Sequence, residues 1–539
     1  MRLDFGQPED EFAVAAEEPA AVTGPPPATA PAEVRAAEAA ALIAWVEKSG
    51  GTVDVKAAPA KVGGIGLEAT KAVRRGDVLL SVPLSLGLSA ESALRSSIGV
   101  YLAEFEPLLA DYAFIALALI HERRLGDQSE FAPWLNGCPS LLPAAGFADL
   151  PLLWSEKELT ELAGATTAGA AERLEDVKED FEWLKENVFA SAPAIFPPSV
   201  FSLQAYTAAI ATALSRALPI AATAGDEYDA RPILLPVFDL VNHDASQPSA
   251  AVVGKPARKA GPFGGAATVA CATLIAGQEG PEIDSGVPLT VRYGGSSAGE
   301  LLLDYGFLSE PVAVRARAPI HTCFPLFFAS PLTCLSLPPH LAQPVAPLTF
   351  AIDYETDMLY DEKCDCLELN GLTEESTWLI AEDGEIPPTE LLAFLRLKNL
   401  NGADAFLLEP VFIDTVWQEH LQLPVSEANE KAALQEVGER CEAALKTFGS
   451  TVQADLRTLA EADRTSREYM LSGVRYAERR ALSAASRSIE TRLGQLKQLE
   501  YYQERRLNSL GLQPIESEEE IEALARAAGR QISSSDVDW

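Results

Sequence analysis

The β-forming residues of this chain fall into two groups held apart by a long helical stretch, and its fold has to reconcile them. The first group is Thr52–Val55, Leu67–Ala72 and Val78–Val82, with a glycine turn at Gly63-Gly64-Ile65-Gly66 and a second turn at Arg74-Arg75-Gly76-Asp77. From residue 91 to about 215 the apolar spacing is helical instead, most clearly over Tyr112–Ile120 and Leu174–Val188. The β pattern then returns in Ile233–Val241, Ala267–Leu274 and Leu289–Tyr293. A short helix is expected before the first group, over Ala36–Ser49, ended by Gly50-Gly51. Beyond about residue 312 a few mixed segments give way to helices. There Leu482, Ile489, Leu493, Leu496 and Leu499 keep one face of a long charged helix apolar. The expected architecture is α+β: β segments interrupted by a helical insert, followed by a helical region.

The two ends read differently. Residues 1–35 combine Pro, Ala and acid, as in Glu9-Asp10-Glu11 and Pro25-Pro26-Pro27, and bury too little apolar surface to offset their ordering entropy. They are expected to be disordered. They are also acidic where a transit peptide is Ser- and Arg-rich, so no organelle address is readable in them. Residues 512–539 are expected to form an acidic tail.

Charge excludes several classes of partner. Lys and Arg number 42 against 78 Asp and Glu, a net charge of −36, whereas nucleic-acid binding needs clustered cations to neutralise phosphate. The same balance disfavours an anionic membrane surface. The longest clean apolar run, Ala113–Ile120, is too short to span a bilayer. Seven cysteines without a regular framework suggest a reducing compartment.

Three segments carry candidate chemistry. The turn Gly64-Ile65-Gly66 with Ala69 fits a loose dinucleotide pattern, but that pattern requires a helix directly afterwards, and a β-rich run follows here. A glycine loop that lets backbone approach a ligand, or a plain hairpin corner, both fit. The second segment, Pro236 to His243, is an apolar run ending in Asp239, Asn242 and His243. It reads as a buried strand exposing functional groups at its end, or as an Asx-capped turn. In the third, Tyr293 precedes Gly294-Gly295, and a short helix then carries Tyr305. Two phenols could pair across a cavity there, or pack as core aromatics. Cys364 and Cys366 invite a zinc reading, but no nearby Cys or His pair completes four ligands, so no metal site is expected.

Taken in order, GGIGLEATKAVRRGDVLLSVP, LLPVFDLVNH and VRYGGSSAGELLLDYGF resemble the segments of a SET-domain lysine methyltransferase. PPTELLAFLRLKNLNGADAFLLEPVF and QLEYYQERRLNSLGL are similar to the substrate-binding domain of the plant Rubisco large-subunit lysine methyltransferases. The resemblance covers about residues 40 to 512. It implies a pseudoknotted SET domain over 36–312, with a helical insert at about 91–205, and an all-helical substrate-binding domain over 313–511. It also implies S-adenosylmethionine as cofactor and methyl transfer to a lysine ε-amine.

Carried over singly, Gly63, Gly64 and Ile65 match the loop along the cofactor. Arg216 matches an arginine that pairs with the cofactor carboxylate, and Asn242 and His243 match the pair meeting the cofactor at the pseudoknot. Arg216, Asp239, Tyr293 and Tyr305 match positions of the lysine channel, with Tyr293 as the catalytic tyrosine. Where the family often carries a further arginine, this chain has Ile220. The resemblance implies a monomer acting on a protein substrate, the Rubisco large subunit or fructose-bisphosphate aldolase, in the chloroplast stroma, with the cytoplasm as the alternative. A related enzyme methylating histidine on actin or another protein, and a catalytically silent helical scaffold, are the competing readings.

Overall fold

Strand pairing joins the two β groups across the helical insert. The computed structural model describes residues 32–60, 65–137, 150–161, 165–221, 230–244, 249–260, 266–277, 283–293, 298–308, 345–381, 388–400, 404, 421–463 and 466–502 of the 539. Before the insert run β1 (Thr52–Val53), β2 (Val55–Pro59), β3 (Ile65–Ala69) and β4 (Val78–Pro83). After it run β5 (Leu218–Ala221), β6 (Ala230–Ile233), β7 (Asn242–His243), β8 (Ala250–Ala260), β9 (Ala266–Ala276) and β10 (Pro288–Val291). One sheet has the order β1-β4-β9-β8 and the other β2-β3-β10-β7, so each takes strands from both groups. β10 runs antiparallel to β3, with Leu289 opposite Leu67, and parallel to β7, with Val291 opposite His243.

The N-terminal helix α1 (Ala32–Lys48) starts four residues before its expected position and buries Ala39, Leu42 and Val46 on one face against the sheet. The rest of the expected tail lies outside the described residues, as does the acidic tail beyond 512. The insert contains α2 (Ala90–Arg95), α3 (Gly99–Leu102), α4 (Asp111–Leu125), α5 (Ala132–Leu135), α6 (Glu156–Glu161), α7 (Ala165–Asn187) and α8 (Leu203–Arg216). The apolar run Ala113–Ile120 is the centre of α4, buried on every side and packed on α2 and α8. Among the described residues no helix is long and apolar enough to cross a membrane.

Two expectations need correction. Ile233–Val241 is not one strand: β6 stops at Ile233, Val237 turns at φ 70°, and a 3₁₀ turn over Phe238–Leu240 leads into the two-residue β7. Pro236 has no N–H to give a ladder, and a positive φ at a β-branched residue breaks the extended path. The turn buries Phe238 and Leu240 and swings the intervening Asp239 carboxylate out of the strand direction.

The C-terminal region is also not all-helical. α9 (Ala298–Tyr305) follows β10, and the later helices α10 (Tyr360–Leu369), α11 (Thr389–Lys398), α12 (Glu427–Thr447), α13 (Val452–Glu461) and α14 (Arg467–Leu493) are joined by an antiparallel pair. That pair is β11 (Val345–Ala351) with β12 (Glu375–Ala381). Alternation explains it, because Ala346, Leu348 and Phe350 are buried on one strand and Trp378 and Ile380 on the other. The long charged helix is α14, with Leu482 and Ile489 inside.

Three cores result. The first is built from residues 39–291, around both sheets and the insert, and the second from the C-terminal elements. The third joins them: Trp154, Leu159 and Ala170 of the insert meet Leu302 and Leu303 of α9 and Met470, Leu471 and Val474 of α14. Arg467 of α14 stacks over Trp154 at 5.1 Å and pairs with Glu158 at 2.5 Å. Residues 309–344, which include the expected boundary near 312, lie outside the described residues.

Candidate active site

α8 delivers Arg216 to the 3₁₀ turn that precedes β7. Its Ser202 cap accepts from the Ala205 N–H at one end, and Arg216 stands in the last turn, where a cation faces the helix dipole favourably. The guanidinium donates to the Asp239 carbonyl at 3.0 Å and lies 3.4 Å from its carboxylate. The Asp239 side chain is wholly buried and that of Arg216 nearly so. Burial pushes the Asp239 carboxyl up to about 6, although Arg216 and the indole of the buried Trp134 pull the other way. The same burial lowers the Arg216 pKa. Desolvation outweighs mutual attraction for both members of this pair.

The parallel pairing of β10 with β7 brings Tyr293 beside His243. The Tyr293 backbone N–H donates to His243 Nδ1 at 2.9 Å, and its phenol donates to the Val241 carbonyl at 2.6 Å. Burial drives His243 down to about 4, so its ring is neutral near pH 7. Because Nδ1 accepts, the ring proton sits on Nε2. That Nε2 is buried and has no hydrogen-bond partner among the described residues. Next to it, Asn242 Nδ2 donates to the Ile65 carbonyl at 3.4 Å. A Cβ added at Gly66 would lie 2.6 Å from that Nδ2, so the close strand approach depends on glycine.

Aromatic rings close the site. Tyr305, at the end of α9, has its ring centre 4.6 Å from that of Tyr293. Phe307 stands 5.7 Å from His243 and 6.1 Å from Tyr293. Burial, aided by the Asp239 charge and opposed by Arg216, pushes the Tyr293 phenol up to about 12, which keeps it protonated. Of the residues singled out in the sequence, the structure brings Ile65, Arg216, Asp239, Asn242, His243, Tyr293 and Tyr305 to one place. Gly63 and Gly64 lie outside the described residues. Sequence reasoning overlooked Phe307, which stood inside the last motif, and read Gly66 only as part of a glycine turn, without its contact to Asn242. It also overlooked the Val241 carbonyl and Trp134, for which the sequence offers no signal.

Comparison with known proteins places this arrangement. The chain is 30% identical over 451 residues to the pea protein named ribulose-1,5 bisphosphate carboxylase/oxygenase large subunit N-methyltransferase, chloroplastic, covering 83% of this chain and 81% of that one. The chain belongs to this methyltransferase family. A tobacco protein of the same name is 29% identical over 87% of this chain and 85% of its own. The Arabidopsis [fructose-bisphosphate aldolase]-lysine N-methyltransferase, chloroplastic, is 29% identical over 83% and 82%. A family model described as Rubisco LSMT substrate-binding matches residues 354–482.

Solved structures give the same answer for the fold. The crystal structure of the SET domain of LSMT bound to lysine and AdoHcy aligns with a TM-score of 0.69 at 28% identity, over 90% of this chain and 98% of that one. Rubisco LSMT bound to AdoMet aligns with a TM-score of 0.65 at 28% identity, over 90% and 99%. In this Rubisco large-subunit methyltransferase family member the two four-stranded sheets are therefore part of a SET domain. The elements from β11 onward contain the matched substrate-binding segment.

Proposed function

We propose that this SET-domain enzyme transfers a methyl group from S-adenosylmethionine to a lysine ε-amine, at a centre built around the phenol of Tyr293. The observation that carries the assignment of the centre is the state of that phenol. It is half-buried, protonated and committed as a donor to the Val241 carbonyl, which leaves its oxygen free to accept beside the rings of Tyr305 and Phe307.

The residues present fit the cofactor. The buried Nε2–H of His243 is a donor with no partner among the described residues, and the Gly66–Asn242 approach is a cradle that any side chain on Gly66 would fill. Arg216 is placed to hold a carboxylate, with Ile65, Asn242 and His243 along the remaining length, and Gly63 and Gly64 are assigned to the same loop from the sequence. When bound, S-adenosylmethionine supplies a methyl group already activated by its positive sulfur. The chain then needs no strong base.

Its residues position and desolvate. Tyr293, Tyr305 and Phe307 surround the amine with ring surface, which disfavours the ammonium form and so favours the neutral nucleophile. The Tyr293 oxygen accepts from the amine and holds it in line, a contribution made through orientation. The Val241 carbonyl fixes the phenol, and the Arg216–Asp239 pair sits beneath it as a fixed dipole.

The substrate we assign is the Rubisco large subunit or fructose-bisphosphate aldolase, met in the plastid stroma by a monomer that needs no membrane. The names of the chloroplastic relatives support the two substrates and the compartment. We assign residues 36–312 to the catalytic unit, with its insert at about 91–205, and 313–511 to docking, a division supported by the family match at 354–482. The test is transfer of labelled methyl from S-adenosylmethionine into purified Rubisco, purified aldolase and actin, with the modified residue identified by mass spectrometry. Label on a lysine of Rubisco or aldolase is expected. Label on histidine alone, or on none of the three, would overturn the reading.

A further inference from the structure

We infer that α14, although it belongs to the C-terminal docking region, also positions the aromatic wall of the active site; the inference rests on the lysine-methyltransferase reading above. Three contacts carry it. Leu302 and Leu303 of α9 are buried in the third core against Met470, Leu471 and Val474 of α14. The same helix α9 ends at Tyr305, whose ring stands on Tyr293. Beyond it, Leu308 packs on α14 at Gly473, where an added Cβ would lie 2.3 Å from Leu308 Cδ1. Leu308 directly follows Phe307, the ring set against both His243 and Tyr293. Residues 302–308 therefore have one side in the third core, against α14, and the other in the catalytic enclosure.

A second attachment holds the same segment from the insert. Asp304, adjacent to Tyr305, pairs with Arg173 of α7 at 2.6 Å. Arg467 of α14 also holds the insert through Glu158 and Trp154. A displacement of α14 thus acts on Tyr305 and Phe307 by direct packing at Leu308 and by way of the insert. Glycine at 473 costs helix stability relative to alanine, yet it is the residue that allows Leu308 to sit against the helix axis.

The variants that test this are Gly473→Val, which drives a branched side chain into Leu308, and Gly473→Val with Leu308→Ala, which makes room for it. Turnover is measured on a short lysine-containing peptide, too small to engage a docking surface, and on intact Rubisco and aldolase. Gly473→Val should lower peptide kcat about tenfold, within the range that an ångström-scale misplacement commands, with unchanged S-adenosylmethionine affinity. The double variant should recover most of it. Unchanged peptide kcat with a raised KM for the protein substrate overturns the inference and leaves α14 a docking element only. If the parent methylates neither peptide nor protein, the functional reading has failed instead. The inference is then read by fluorine NMR of fluorotyrosine-labelled protein, assigned by Tyr→Phe replacement. Tyr293 and Tyr305 resonances that shift in Gly473→Val and return in the double variant support it; resonances that stay put overturn it.

Discussion

The Tyr293 hydroxyl lies 2.6 Å from the Val241 carbonyl oxygen, a hydrogen bond that closes fifty-two positions of chain. Val241 is buried, so this carbonyl has no water to replace the phenol. The bond therefore has two consequences, one for chemistry and one for stability.

Tyr293→Phe keeps the ring against Tyr305 and removes the oxygen. Turnover should fall on the order of 10²-fold, as when one preorganised polar group is taken from an active site. The orphaned carbonyl should in addition cost about 1–3 kcal/mol of folding stability. Steady-state kinetics, calorimetric cofactor affinity and urea unfolding on the same preparation separate the two effects. Turnover within a few-fold of the parent would make Tyr293 a packing residue.

Gly66→Ala addresses the cofactor cradle. The new methyl group would meet Asn242 Nδ2 at 2.6 Å, and Asn242 would have to release the Ile65 carbonyl to make room. S-adenosylmethionine affinity should drop at least about tenfold, since two groups assigned to cofactor contact move together; that factor corresponds to about 1.4 kcal/mol. Calorimetry showing parental affinity removes this strand crossing from the binding site.

The site was more legible in the sequence than its supports. Tyr293, Asn242 and His243 stood at the ends of apolar runs, where polar side chains leave a core; the second motif carried Asp239, whereas Arg216 came only from the family resemblance. The local path of 233–241 was misread because an apolar run looks like a strand until its proline and its neighbour's left-handed turn are seen. β11 and β12 were readable from alternation in Val345–Ala351 and Glu375–Ala381, but the helical signal around them drew attention away. The contacts of Trp154, Arg467 and Leu308 connect residues more than 150 positions apart, and no periodicity encodes such pairing.

Arg216→Ala tests the buried ion pair. Without the guanidinium, the wholly buried Asp239 carboxylate has lost its counter-charge, and removing one partner of such a pair costs about 3–5 kcal/mol. Adding Asp239→Asn should return part of that loss, because a neutral amide asks for no counter-ion. Cofactor affinity should fall in both variants by on the order of 1.5–3 kcal/mol, the worth of a hydrogen bond to a charged group. Chemical unfolding that finds the single and double variants equally stable would mean that Asp239 takes up a proton once Arg216 is gone, so that no uncompensated charge is left.

The pH dependence of stability offers a check on the same pair with His243 added. Asp239 titrates near 6 in the fold against 3.8 as an ordinary aspartate. Its protonated form is favoured by folding, so its contribution is complete below 3.8 and is lost as pH rises through 6. His243 runs the other way, from 6.5 down to about 4. Its neutral form is favoured by folding, so its contribution is complete above 6.5 and is lost as pH falls through 4. Between pH 4 and 6.5 the two slopes oppose each other, and in the parent they largely cancel. Asp239→Asn leaves the histidine alone, and stability relative to the parent should then climb with pH across that window. His243→Gln leaves the aspartate alone and should give a relative decline. Each slope is bounded by about 1.4 kcal/mol per pH unit for one proton. Urea midpoints at half-unit intervals of pH for the three proteins measure these differences directly, and parallel profiles would show that neither group changes its acidity on folding.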